Sequence, residues 1–480
     1  MFRSLRRPTG ALLMLVVLAG CNASGTSGGE VEGGDRIVVG GGDGGADADL
    51  SVRFGSAPEA TTTLRHARFE FAAPDAVGYE CALGGGGYET CASPLFVASV
   101  DEGDNRLEVR ALDERGAAGD VETFEWYVDD VLLGGHEDLV AVNMTPGAVE
   151  ERSWRGIFRI NCDFSHSSYD DPIVFPGESD AAHLHRFYGN TEVDEHTTTE
   201  SLYTRGESSC QGNRLNMSAY WVPALLAPLH DPTSGARALD AEGEPAWQVV
   251  PAVVGGDDEA HEVFYYSAGV DDLTSIRPPP PGLRMIAGAH TSGPGEEQDT
   301  SIVRWHCQSW ASDDADNPRF SAAIPACAEP DRVRMDIFFP SCWDGERLDS
   351  ADHRSHMAYP LRTGGVTRCP DAHPVPLVRV SYHYAFGVRP HLTHPADRSS
   401  RGWRLASDPY TVGDEQPGGL SLHGDWFNGW HPSVLEAILK NCIRQALDCH
   451  DGNLANGYRL SGTREGTRAE PGIVRGGLGY

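Results

Sequence analysis

Cysteine pairing constrains what this chain can fold into more than any other feature. The sequence carries 11 cysteines, and setting aside Cys21, near the N-terminus, leaves an even set of ten. Cys81 and Cys91 stand in the N-terminal third; Cys162, Cys210, Cys307, Cys327, Cys342, Cys369, Cys442 and Cys449 follow. Spacing suggests local bridges 81–91, 307–327, 342–369 and 442–449, leaving 162 with 210, although spacing alone leaves connectivity open. No C-x-x-C pair occurs, which argues against a thiolate zinc site. An even cysteine set implies an oxidising compartment.

The N-terminus agrees with export. Arg3, Arg6 and Arg7 precede an apolar run over 11–18 that is too short to span a bilayer and fits a secretory signal. Leu18-Ala19-Gly20-Cys21 resembles a bacterial lipobox, which implies removal of residues 1–20 and a lipid on Cys21. Asn22 rather than Asp follows, so the expected address is the outer membrane or cell surface, with the lipid as membrane anchor. Residues 21–50, rich in Gly, Ser, Asp and Ala, read as a flexible tether. With 38 basic against 70 acidic residues, the net charge is −32. That argues against nucleic acid and anionic lipid surfaces as partners. Lys440 is the single lysine, so Schiff-base and P-loop chemistry lack a candidate. No G-x-S-x-G elbow is found, the one match (Gly25-Thr26-Ser27-Gly28-Gly29) lying in the Gly-rich tether, and no H-E-x-x-H motif occurs.

The remaining pattern is mainly β. Within 51–130, segments 64–71, 79–83, 105–112 and 124–129 read as strands, with Leu107, Val109 and Ala111 alternating with charged neighbours. This stretch resembles the Ig-like β-sandwich modules of bacterial surface proteins, whose usual role is spacing or adhesion. Residues 131–153 read as a linker. Residues 154–480 read as one large β-rich domain, sandwich or jelly-roll-like, with long loops. Its candidate strands are 157–160, 218–223, 332–339 and 377–384. One C-terminal helix is expected, where Val434, Leu435, Ile438, Leu439, Cys442, Ile443 and Leu447 recur at helical spacing after Pro432.

Several segments of this domain carry a family likeness. They are Asp171-Pro172-Ile173-Val174-Phe175-Pro176-Gly177, His183-Leu184-His185, Phe187-Tyr188-Gly189-Asn190, Ala219-Tyr220-Trp221-Val222-Pro223, Ser355-His356-Met357-Ala358-Tyr359-Pro360 and Gly424-Asp425-Trp426-Phe427-Asn428-Gly429-Trp430. In that order the region resembles the secreted DUF1996 family, a domain of unknown function found in fungi and bacteria. Some fungal relatives carry carbohydrate-binding modules, so the resemblance implies a polysaccharide or cell-wall glycan as partner. Extra residues around 255–262 and 386–402 depart from the pattern.

Three compact motifs hold the chemistry. In extended chain, His183 and His185 point to one face, and so do His423 and Asp425. His353 and His356 share a turn. His183, His185, His356, His423 and Asp425 are expected to converge in one cleft, with Tyr359 as proton donor. Arg186, Asn190, His353, Tyr220 and Asn428 are expected to hold substrate, and Arg354 to neutralise a carboxylate or developing oxyanion. The function expected is hydrolysis or β-elimination of an extracellular polysaccharide. The alternatives are a non-catalytic glycan- or metal-binding module and a metal-dependent phosphodiesterase or nuclease. In the metal reading, His183, His185 and His423 ligate a divalent cofactor such as Zn, Mn, Ni or Cu. His290 and other isolated histidines read as structural, and Trp426, Phe427 and Trp430 as core.

Overall fold

The computed structural model describes residues 48–142, 150–151, 156–231, 233–240, 243–252, 262–309, 319–413, 416–464 and 473–475. The expected signal, Cys21 and most of the expected tether lie outside the described residues, as does most of the 255–262 segment.

Alternation of apolar and polar residues sets the two largest sheets of the C-terminal region. Along Arg332–Phe338, Val333, Met335 and Ile337 are fully buried while Arg332 and Arg334 are not. This strand sits in a seven-stranded sheet whose strands are, in spatial order, Glu150–Glu151, Leu447–Cys449, Ile157–Cys162, Glu262–Ser267, Arg379–Gly387, Arg332–Phe338 and Val303–Cys307. The second sheet has five strands in the order Phe164–Ser168, His185–Gly189, Ala219–Pro223, His423–Phe427 and Arg284–Gly288. Their inner faces meet in one core containing Phe264, Tyr382, Met335 and Ile337 from the first and Tyr220, Trp426 and Met285 from the second. The architecture is a β-sandwich.

The second sheet is buried on both faces, and this positions the site. Register places His185, Trp221, Asp425 and Ile286 on the face turned away from the sandwich core. A separate apolar cluster covers that face, in which Ile173 packs with Phe187, Trp221, Ile286 and Phe427. The 170–182 loop thus closes over the outside of the sheet. A site inside the sandwich, as jelly-roll proteins often have, is not what this chain builds: Tyr220 and Tyr382 fill that space.

Residues 48–128 form a smaller two-sheet unit, one of three strands and one of five, around Phe69, Phe71, Leu107, Val109 and Trp126. Its edge meets the larger region: Arg65 Nη1 donates to Ser433 Oγ at 2.8 Å, and His431 Nε2 donates to the Thr63 carbonyl at 2.8 Å. Part of the expected linker belongs to the larger fold. Asp130 caps the helix Val131–Gly134, Val131 and Leu139 enter the main core, and Leu139–Ala141 pairs with Tyr458–Leu460.

All five bridges form with the pairing that spacing suggests. The C-terminal helix is shorter than its apolar repeat. It runs as α-helix over Pro432–Ile438, widens to a π-turn over Leu439–Ile443, and gives way to the strand Leu447–Cys449. Joining Cys442 to Cys449 requires the chain to reverse within the loop, and Ala446 does this with φ of 53°.

Candidate metal centre

His185 opens one strand and His423 opens the strand two places away in the same sheet, and His183 lies just before the first. The imidazole centroids of His183 stand 4.2 Å from His185 and 5.0 Å from His423. One ring nitrogen from each of the three lies within 4.8 Å of the others. Asp171, His185 and Asp425 form a second such set, sharing His185. A tetrahedral ion with nitrogen ligands at about 2.0–2.1 Å needs donors about 3.4 Å apart, so side-chain rotations of about an ångström would close the set.

Hydrogen bonds determine which nitrogens face inward. His185 Nδ1 is 3.1 Å from the Asp170 carbonyl and His423 Nδ1 is 2.8 Å from the Ser421 carbonyl. A carbonyl can only accept, so each Nδ1 carries the proton and each Nε2 presents a lone pair. That arrangement fixes the ring of a metal-ligating histidine. Ser421 is itself held, because the buried Asp408 carboxylate accepts from its amide and hydroxyl. Asp171 Oδ1 accepts the amides of Ile173 and Val174, which ties the covering loop to the site. The Nε2 atoms of His183 and His185 and Oδ2 of Asp425 are buried with no hydrogen-bond partner among the described residues. His423 Nε2 to Asp425 Oδ2 is 4.0 Å, too long for a hydrogen bond.

Burial also governs the charges. Desolvation, reinforced by neighbouring histidines, holds the His183 and His423 imidazoles well below the ordinary histidine range; burial lowers His185 too. Desolvation and then the Asp171 charge push the Asp425 carboxyl well above the ordinary carboxylate range, against a smaller pull from Arg354. Without a cation this is an unfavourable collection: bare lone pairs and a carboxyl group whose charged form burial disfavours. A divalent ion reverses that logic by supplying the missing charge and the missing partners. The cavity here is about 20 Å³ and is lined by Asp171, His183, His290, His423 and Asp425. One water requires about 10–15 Å³, so an ion with a bound water fits and a sugar ring does not.

Not every expected site residue gathers here. His356 lies under Arg284, whose carbonyl its Nε2 reaches at 2.7 Å, while Nδ1 bonds Ser350 Oγ at 2.9 Å. Arg284 pairs with Phe427 and Gly288 with His423 on the same strands. At about 3.3 Å per residue this puts His356 roughly 13 Å along the sheet from the cluster. The five-residue convergence is therefore corrected to four. His353 is engaged by Asp349 at 3.0 Å. Tyr359 donates to the Phe338 carbonyl at 3.0 Å, and burial pushes its hydroxyl up, away from a proton-donor role. Arg186 is buried against the Phe164 and Tyr188 rings. Asn190 ties down Leu202 and Arg205, Asn428 ties down Pro279 and Pro280, and Tyr220 bonds Asn216 and Tyr266 inside the core. Each of these side chains is engaged within the fold. Trp426, Phe427 and Trp430 are core.

Two residues at the site escaped the sequence reading of roles. Asp171 stands in a likeness-bearing segment without an assigned chemistry. His290 read as an isolated structural histidine, yet its ring is 5.9 Å from that of His423. The available signal was Gly288, where φ is +79° and a Cβ would lie 2.3 Å from the Leu422 carbonyl oxygen. That close approach carries the following loop over His423.

The family model for the domain of unknown function DUF1996 matches residues 171–430. The chain belongs to this family, and the matched span runs from Asp171 past Asp425, taking in every group of the cluster. No curated protein matches the sequence. Among solved structures, the fibronectin(III)-like modules of CbhA from Clostridium thermocellum match at 16% identity and a TM-score of 0.15, covering 17% of this chain and 98% of that one. A likeness so slight carries no argument about this chain.

Proposed function

We propose that this DUF1996 domain binds one divalent transition metal through Nε2 of His183, His185 and His423, with Asp425 as the fourth ligand. The observation that carries the reading is the convergence of three imidazoles, with Nδ1 of His185 and of His423 held by backbone carbonyls, on a focus where Nε2 of His183, Nε2 of His185 and Oδ2 of Asp425 are buried without partners among the described residues. Imidazole-rich sets of this kind suit Zn, Cu and Ni. Asp171 and His290 line the same cavity, where they would be placed to hold or pass a proton if an ion with a bound water occupied it. The metal reading is preferred over a metal-free His/Asp/Tyr polysaccharide cleft. The cavity admits water rather than sugar, and Tyr359 and His356 are already engaged.

The setting is an exported protein held at the outer membrane or cell surface through Cys21, with the 51–130 module as an Ig-like spacer. Five disulfides support the export part of this reading. Elemental analysis of the full chain, loaded with Zn, Cu, Ni or Mn and then desalted, tests the metal. One equivalent per chain is expected, and its loss in H185A and H423A. Retention of less than a tenth of an equivalent of every metal by the unaltered chain would end the proposal.

A further inference from the structure

The outward face of the seven-stranded sheet is built unlike the rest of this acidic chain. Alternation that buries Val333 and Met335 turns Arg334 outward beside Asp336. On neighbouring strands the same alternation sets out Arg304, His383, Tyr265 and Arg159. Two clefts of about 430 Å³ and 530 Å³ lie over this face, and Arg334 lines both. Together their linings hold five arginines, the others being Arg319 and Arg459, against two carboxylates, Asp336 and Asp451. The chain as a whole is the reverse, with 38 basic and 70 acidic residues. Asp336 is already neutralised: Arg304 Nε donates to it at 2.9 Å and His383 Nδ1 lies 2.8 Å away. Nε of Arg159 and of Arg334 are buried without hydrogen-bond partners among the described residues.

The spacing of these charges selects the ligand. The strand of Arg159 lies three places from that of Arg334, and the strand of Arg304 lies one place further. At about 4.8 Å per strand and about 3.3 Å per residue for a four-residue offset in register, the first gap is roughly 20 Å. The Tyr265 hydroxyl and the Asn161 amide line the cleft beside Arg159. Hydroxyl and amide groups beside widely spaced guanidinium groups suit an extended, hydroxyl-rich polymer with sparse negative charge. Guanidinium pairs well with carboxylate. Duplex nucleic acid carries a charge about every 1.7 Å, and so dense a polyanion is repelled far more strongly by a chain of net charge −32. We propose that this sheet face is a binding site for carboxylated polysaccharide, separate from the metal centre.

Titration calorimetry of the full chain with polygalacturonate tests this, with methyl-esterified polygalacturonate, neutral dextran and double-stranded DNA as comparisons. Binding is expected for polygalacturonate, weakened at least tenfold by esterification and by added 0.5 M salt. R334Q/R459Q is expected to weaken it at least tenfold. R459Q alone, at an exposed position, should weaken it about threefold and guards against a folding defect in the double variant. R362Q, on the exposed 361–368 hairpin, should leave it unchanged. The proposal is overturned by absent binding at millimolar uronate, by equal binding of dextran, by tighter binding of DNA, or by R334Q/R459Q binding as the unaltered chain does. Loss of binding on chelation would place the glycan at the metal centre and would overturn it too.

Discussion

Two histidine motifs that look alike in sequence are used in opposite ways. His183 and His185 each leave Nε2 buried without a partner among the described residues, and one ring nitrogen of each converges with one of His423. His356, in the motif of similar polar and aromatic character, spends both nitrogens on Ser350 and the Arg284 carbonyl. His185, His423 and His356 are all buried, and both motifs lie in family-like segments. What separates them is the partner of the second nitrogen and whether other donors converge on it. A histidine with two satisfied nitrogens holds loops; histidines that keep a ring nitrogen for a common focus can hold an ion.

The comparison breaks most sharply on metal affinity. H423A and H185A are expected to lower metal affinity at least 1,000-fold, about 4 kcal/mol, whereas H356A should keep a full equivalent. Competition with a chromogenic chelator measures this. Binding raises the stability of the native chain, by about 4 kcal/mol at a free metal concentration 1,000 times Kd. Chelation should therefore lower the melting temperature of the unaltered protein and of H356A, and leave that of H423A where it is. Equal metal retention in H356A and H423A is expected only if the cluster is not the site.

Next in size is the stability cost of the structural histidine. H356A strands the Ser350 hydroxyl and the Arg284 carbonyl in a buried place, and unsatisfied groups of this kind cost about 1–3 kcal/mol each. A loss of about 3 kcal/mol is expected in denaturant unfolding of metal-free protein, with disulfides intact. H183A, at a partly exposed ring with no such partners, should cost less than about 1 kcal/mol under the same conditions. Reversal of the two values would invert the comparison.

These contrasts mark what the sequence made legible. The alternation of Val333, Met335 and Ile337 foretold a buried strand, and same-face spacing brought out His183 with His185 and His423 with Asp425, which the fold then joins through the Ala219–Pro223 strand between them. Cysteine spacing gave the five pairings because four of the loops are short. What stayed hidden was tertiary. Whether His356 meets the cluster depends on the position of Arg284 along its strand, and spacing carries no information about register with a distant strand. Asp171 and His290 arrive on loops whose paths follow from a glycine contact and two backbone amides. The helix stops short of its apolar repeat because a bridge from Cys442 must turn back to Cys449, a constraint that periodicity does not register.

The smallest effect concerns a third histidine, which sharpens the criterion. His431 donates from Nε2 to the Thr63 carbonyl, and its Nδ1 is buried without a partner among the described residues. It thus has one bare nitrogen, as His185 does, but it belongs to no set of three converging donors among the described residues. The groups around it are Arg65, His66, His136 and, more distantly, Glu102 and Glu436. A bare nitrogen alone is therefore a burial cost and not a site. Desolvation, with a smaller push from Arg65, lowers its pKa to about 4. In the unfolded chain a histidine titrates near 6.5, so between about pH 6.5 and 4 the unfolded state binds more protons and stability falls as pH falls. The contribution is intact above about pH 6.5, and roughly 2 kcal/mol of it is gone by pH 5. H431Q, which keeps an amide donor for Thr63, should remove that part of the acid sensitivity. The readout is the difference in unfolding free energy between pH 7 and pH 5 for the two chains, each stripped of metal so that protonation of the cluster is common to both. An identical pH slope in H431Q and the unaltered protein would show that the buried nitrogen does not titrate in this range.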